Sequence, residues 1–183
     1  MRVILVPKTQ KTPRIIAADQ TANQFVQQGI HSLLLHHVKE SSFLRSAIDW
    51  TDQERQRKLA LKGSIDTSIA TLDLSEASDR VHVSLVAHML RYHRLLRHVI
   101  FACRTTRADY SGRTIFLEKF APMGSALCFP IETMIFTIIA VRAVLTGWQL
   151  PVTRANVMKA LARVSLYGDD IIVPTETATT VIA

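Results

Sequence analysis

The chain reads as an α+β fold, because segments with helical spacing of apolar groups stand beside short β-rich runs, and two pairs of those runs are joined by the turn signals of antiparallel hairpins. Its 183 residues are 48% apolar, enough to build the core of one ordinary domain.

Taken in order, Val3 to Ala17 holds Pro7 and Pro13 among β-branched residues and favours an extended or polyproline-like path over a helix. Lys8, Lys11 and Arg14 recur there every third residue. In a polyproline helix these cations share one edge, whereas in a flat strand Lys11 points the opposite way. A solvated basic arm is the plainer alternative. Residues 22–38 show helical spacing, and 51–62 place Asp52 and Glu54 early and Arg57, Lys58 and Lys62 late, the polarity that a helix dipole favours. Ile69 to Leu74 reads as a short buried strand, and Ser75 to Arg80 as a polar turn.

A long helix is expected over Val81 to Ala102, with Leu85, Met89, Tyr92, Leu96 and Val99 on its apolar face and Arg91, Arg94 and His98 on another. Cys103 to Phe120 alternates about Asp109-Tyr110-Ser111-Gly112, a hairpin signal. A loop with Gly124 and Ser125 precedes a helix whose first turn holds Pro130 and Glu132 and which reaches about Leu145; another spans Arg154 to Arg163. Val164 to Tyr167 and Ile171 to Val173 are joined by Gly168-Asp169-Asp170, a tight hairpin with two carboxylates at its tip.

The 22 Lys and Arg against 15 Asp and Glu give a net charge of +7, which suits a polyanionic partner without naming one. Residues 91–107 hold Arg91, Arg94, Arg97, Arg104 and Arg107 without an acid, a candidate surface for contact with phosphates. Cys103 and Cys128 have no metal-ligand spacing, which fits a reduced compartment, and neither reads as catalytic. The His residues read as surface or core groups rather than zinc ligands, and Trp50, Trp148 and Tyr92 as packing groups. In the apolar stretch Ala126 to Trp148, Glu132 and Arg142 leave only nine uncharged residues between them, where a bilayer span needs about twenty, so no membrane partner is expected. Pro7 and Lys8 follow the first apolar run too closely for the core of a signal peptide.

Carboxylates beside apolar strands call for a counter-ion, since two of them about 4 Å apart repel by roughly 4 kcal/mol at an effective dielectric of about 20. A divalent cation turns that repulsion into attraction, so Asp73 at a strand end and Asp169-Asp170 at a hairpin tip form a hard-cation site if the strands are neighbours. The plainer alternatives are a helix cap at Asp73 and an ordinary Gly-Asp-Asp turn.

The segments VPKTQKTPRIIAA at 6–18, ATLDLSEASDR at 70–80, KFAPMGSALCFPIETMIF at 119–136 and YGDDIIVP at 167–174 stand in an order that resembles the replicases of positive-strand RNA bacteriophages, the levivirus-like group. They correspond to polymerase motifs F, A, B and C, and NQFVQQGI at 23–30 is similar to the continuation of motif F. The resemblance implies a polymerase palm, an antiparallel sheet backed by helices, over 66–183, with partial fingers and the motif F arm over 1–65. It implies an RNA-directed RNA polymerase that transfers ribonucleoside monophosphates from NTPs to an RNA 3′-hydroxyl by a two-metal mechanism in the cytoplasm of an infected bacterial host.

By the same resemblance, Asp73, Asp169 and Asp170 are the catalytic acids. Asp73 and Asp169 hold two Mg2+ ions, which Mn2+ can replace, with Asp170 an auxiliary ligand. Lys8, Lys11 and Arg14 grip the triphosphate, while Asp79, Gly124 and Ser125 contact the nucleotide. The plainer readings are a cap by Asp79 on the helix near Val81 and a Gly-Ser turn before a core helix. The partners implied are RNA template and product, NTPs, the rest of the replicase chain and host translation factors. Ten residues follow Val173, so later palm elements and a thumb are expected beyond this stretch, and the 183 residues alone are expected to be inactive or nearly so. Two rivals remain: a reverse transcriptase, against which Asp79 speaks where a bulky aromatic is usual, and a non-catalytic basic RNA-binding fragment, against which the intact acids speak.

Overall fold

The computed structural model describes residues 1–7 and 13–182. The chain forms two compact units, each assembled from separate stretches: residues 1–33 with 76–131, and residues 34–75 with 132 onward. Both mix helices with sheets whose pairings are almost all antiparallel, as an α+β class requires.

In the first unit, β1 (Arg2–Pro7) and β2 (Pro13–Ala18) pair antiparallel from Arg2↔Ala18 to Pro7↔Pro13. The extended path expected of a Pro-containing, β-branched run is thus realised as a hairpin at the sheet edge, where the missing proline N–H groups cost least. Helix α1 (Thr21–Glu40) follows, burying Gln27, Ile30, Leu34 and Val38 at intervals of three and four residues. The second unit places α2 (Glu54–Asp66) after Asp52, whose carboxylate accepts from the Glu54 N–H at 2.8 Å. Gly63 lets α2 lie close on β3 (Ile69–Leu72): a Cβ there would sit 2.7 Å from the Ile69 carbonyl oxygen. The strand is only half-buried, and shorter by two residues than its apolar run.

The expected polar turn at 75–80 contains a short helix, α3 (Ala77–Arg80), with Ala77 and Ser78 buried. The long helix expected over 81–102 is two helices, α4 (Val83–Met89) and α5 (Arg94–Ala102), separated by a turn at 90–93. No Gly or Pro marks that break, so apolar periodicity alone runs straight through it. The face also differs: Val86, Leu90 and Ile100 are buried, whereas Leu85 and Tyr92 are exposed.

β4 (Arg107–Tyr110) and β5 (Arg113–Phe116) form the expected hairpin, whose turn residues Ser111 and Gly112 have φ of 49° and 77°, the left-handed pair of a two-residue turn that follows strand twist. The sheet order is β2-β1-β4-β5.

Helix α6 (Cys128–Gly147) begins two residues before Pro130, so Glu132 falls beyond its first turn and is buried. Its 20 residues are long and apolar enough to cross a membrane, and 67% of its most apolar window is buried within the protein. Thr133, Ile135, Ala140, Val144 and Leu145 lie in that core. Helix α7 (Arg154–Leu161) is capped by the Thr153 hydroxyl, which accepts from the Asn156 N–H. Strands β6 (Ser165–Tyr167) and β7 (Asp170–Pro174) close a sheet of order β3-β7-β6, and a 3-10 turn (Thr175–Thr177) leads into α8 (Ala178–Ile182).

Candidate active site

β7 is the central strand of the second unit's sheet, and Ile171, Ile172 and Val173 are all buried. It pairs with β6 through Tyr167↔Asp170, leaving Gly168 and Asp169 as the turn. Gly168 takes φ 64°, and its N–H donates to the buried Thr133 hydroxyl at 3.1 Å, so α6 fixes the turn from below. On its other edge β7 pairs with β3 as far as Leu72↔Ile171, and continuing that register one step sets Asp73 opposite Asp170. The two hairpin acids therefore differ in setting: Asp169 is in the turn, while Asp170, expected at the tip, is the first residue of the strand.

Asp170 is the carboxylate whose setting is perturbed. Burial pushes the Asp170 carboxyl above its ordinary range, the charges of Asp169 and Asp73 push it the same way, and a hydrogen bond from Gln53 opposes them. Asp73 and Asp170 share an open pocket of about 340 Å³ with Gln53, Gln56 and Arg57 of the α2 region. Gln56 is 8% exposed; its Nε2 donates to Ser165 Oγ at 3.2 Å, and its Oε1 has no hydrogen-bond partner among the described residues. Mutually repelling carboxylates beside an unsatisfied amide oxygen are the donor chemistry that suits a hard divalent cation. Among the described residues no three His, Cys, Asp or Glu side chains converge on one metal position. Gln53, Gln56 and Thr133 escaped the sequence reading; the only trace of the two glutamines was polar side chains three apart at the start of an amphipathic helix.

The residues expected to meet the nucleotide fall in the first unit. Arg14 is exposed on β2 opposite Val6, while Lys8 and Lys11 lie outside the described residues. Gly124 has φ 109°, and a Cβ there would lie 2.4 Å from the Ala17 carbonyl oxygen, so only glycine fits. The Ser125 hydroxyl donates to Gln27 Oε1 at 3.0 Å and accepts from the Leu127 N–H. Asp79 does not cap the helix after Val81: that cap is His82, whose ring accepts from the Ser84 N–H, and Asp79 instead meets Lys119 at 2.5 Å.

The arginines divide into two kinds. Arg91, Arg94 and Arg97 are exposed, with Arg91 over the Tyr92 ring at 4.5 Å and Arg97 over Phe101 at 5.9 Å. Tyr92 is 80% exposed and is therefore no packing group, unlike the buried Trp50; Trp148 is half-buried, its indole N–H donating to Glu176. Arg107 is exposed with its guanidinium over Phe116. Arg104 is spent internally, donating to the carbonyls of Leu117, Lys119 and Phe120 at 2.6 to 2.9 Å.

The sequence pattern of the family described as RNA replicase, beta-chain matches residues 1–183, the whole of the chain. The chain belongs to that family. Among curated relatives, the RNA-directed RNA polymerase beta chain of Enterobacteria phage GA is 33% identical over 171 residues, covering 93% of this chain and 29% of the relative. The corresponding chain of Escherichia phage MS2 is 32% identical, with 96% and 29% covered, and the subunit of Escherichia virus Qbeta is 31% identical, with 94% and 27% covered. This replicase-family chain thus spans less than a third of the length of the curated relatives it matches.

Proposed function

We propose that this chain is the catalytic segment of an RNA-directed RNA polymerase, transferring ribonucleoside monophosphates to an RNA 3′-hydroxyl, with the second unit's sheet as the palm. The observation that carries the reading is that the β3–β7 register runs Asp73 up to Asp170, with Asp169 in the adjoining turn, within a replicase-family chain. Asp73 and Asp169, with Asp170 beside them, would hold two magnesium ions. When bound, such ions supply a lowered pKa for the attacking hydroxyl and neutralise charge on the leaving pyrophosphate. The chain's own part is to anchor the carboxylates beside the buried strand β7, while Lys8, Lys11 and Arg14 would grip the triphosphate, where their charge offsets what develops in transfer. RNA template and product, NTPs and the remainder of a replicase are the partners of this reading.

In a full-length replicase, Asp73→Asn or Asp169→Asn should reduce primer extension by several orders of magnitude while RNA affinity changes little. Near-normal extension by either variant would remove the two-metal assignment. Asp79 is assigned to sugar selection: a site built to bond a hydroxyl rejects the analogue that lacks it. Asp79→Ala should therefore narrow the gap in kcat/KM between GTP and dGTP, and an unchanged ratio would sink that role.

A further inference from the structure

We infer that Gln27 is a positioning residue that ties the Gly124–Ser125 loop to the base of the β1–β2 hairpin, so that the groups assigned to the nucleoside and to the triphosphate act as one body. This rests on the nucleotide-binding reading of that loop and hairpin given above.

Gln27 lies on α1 and is 1% exposed, so its carboxamide must find every partner inside the protein. It does. Its Nε2 donates to Asp19 Oδ2 at 3.0 Å and to the Cys103 carbonyl at 2.9 Å. Its Oε1 accepts from the Ser125 hydroxyl at 3.0 Å and from the Ala126 N–H at 3.1 Å. Two donors and two acceptor positions are the full capacity of a carboxamide. The orientation is forced, because a carbonyl and a carboxylate can only accept while a backbone N–H can only donate. Glu at this position would lose both donors and bring a second charge against Asp19; an aliphatic residue would strand all four partners.

The same two segments touch through their backbones. The Ala17 N–H, near the end of β2, donates to the Met123 carbonyl at 2.8 Å, and Gly124 has no room for a Cβ because the Ala17 carbonyl oxygen is in its place. Asp19, which follows β2, accepts from the Thr105 hydroxyl at 2.5 Å and from the Gln20 N–H at 2.8 Å, fixing the carboxylate that Gln27 holds. Arg14 stands three residues before Ala17 on β2. A nucleotide gripped by the hairpin therefore meets a loop whose place is set by Gln27 rather than by the loop's own flexibility. The Ser125 hydroxyl is already spent on Gln27 and on the Leu127 N–H, so its task is to anchor the loop.

The test uses full-length replicase with an RNA template-primer, measuring GTP affinity by direct titration alongside kcat and KM. Gln27→Met keeps the length and removes all four bonds; it should raise Kd and KM for GTP about tenfold while kcat and RNA affinity stay within about twofold. A drop in unfolding temperature with unchanged GTP affinity would overturn the inference by leaving Gln27 a merely structural role. Ser125→Ala, which opens almost no space, should raise Kd in the same direction by a smaller factor, and no rise would also overturn it. Because Gln27 acts through Ser125, the double variant should bind GTP no more weakly than Gln27→Met alone, whereas multiplying effects would show two independent roles. If the unsubstituted replicase fails to bind GTP, the nucleotide reading itself falls; if it binds and Gln27→Met binds equally well, only the clamp falls.

Discussion

The β4–β5 and β6–β7 hairpins use the same device to opposite ends. Both reverse direction through two residues, Ser111-Gly112 in one and Gly168-Asp169 in the other, with a glycine at positive φ in each. Around the first, every residue of β5 is exposed and only Ala108 of β4 is buried. Around the second, Ser165, Leu166, Ile171, Ile172 and Val173 are all buried, and α6 holds the turn glycine. A hairpin with little packed on it has little stability of its own, whereas one buried on both faces is held by the core. Side chains that need a fixed spacing are better held on the second kind, and side chains that tolerate movement can stand on the first.

The largest test of that contrast is to remove one hydroxyl that bonds to each hairpin. Thr133→Val takes away the acceptor for the buried Gly168 N–H and should cost about 1 to 3 kcal/mol in denaturant unfolding. Thr114→Val removes an exposed bond to Asp109 and should cost less than about 0.5 kcal/mol. Equal losses would break the comparison. A second test concerns the exposed cations: Arg94→Gln and Arg97→Gln should each lower the salt dependence of RNA binding by about one unit of log–log slope. Arg104→Gln should instead leave the slope alone and weaken the fold, since its guanidinium serves three carbonyls. A lowered slope for Arg104 would show that those carbonyls release it to RNA.

The smallest effect concerns Asp170. Its carboxyl is raised first by burial and then by the charges of Asp169 and Asp73, so over the window just above its ordinary value of 3.8 the folded chain holds more proton than the unfolded one. Stability then falls as pH climbs through that raised value and stays lower at neutral pH. With a chelator present, Asp170→Asn should unfold at a slightly higher temperature than the parent at neutral pH, and the difference should vanish in strong acid. A variant less stable than the parent at neutral pH would mean that the Gln53 hydrogen bond outweighs burial and repulsion.

Turns and strands were legible because each is written locally: Gly-Asp-Asp between apolar runs and Asp-Tyr-Ser-Gly between alternating ones announce hairpins before any packing is known. The break between α4 and α5 was not, since Arg91-Tyr92-His93 is as compatible with a helix as with a turn and only burial of Leu90 and Ile100 decides. Tyr92 was misread for the same reason: an aromatic at helical spacing carries no mark of which face the core will choose. Gln27, Gln56 and Thr133 stayed hidden because, Asp19 apart, the partners of their side chains lie 35 to 109 residues away in sequence.

The two-residue turn at Gly168-Asp169 also governs what this segment can survive as it diverges. Side chains in β7 alternate sides, so a one-residue slip of β7 against its neighbours would exchange the faces on which Ile171, Ile172 and Val173 pack and carry Asp170 away from Asp73. Letters in this hairpin can change wherever size and polarity are kept, but its length is a reading frame, and a single slip scrambles everything downstream of it.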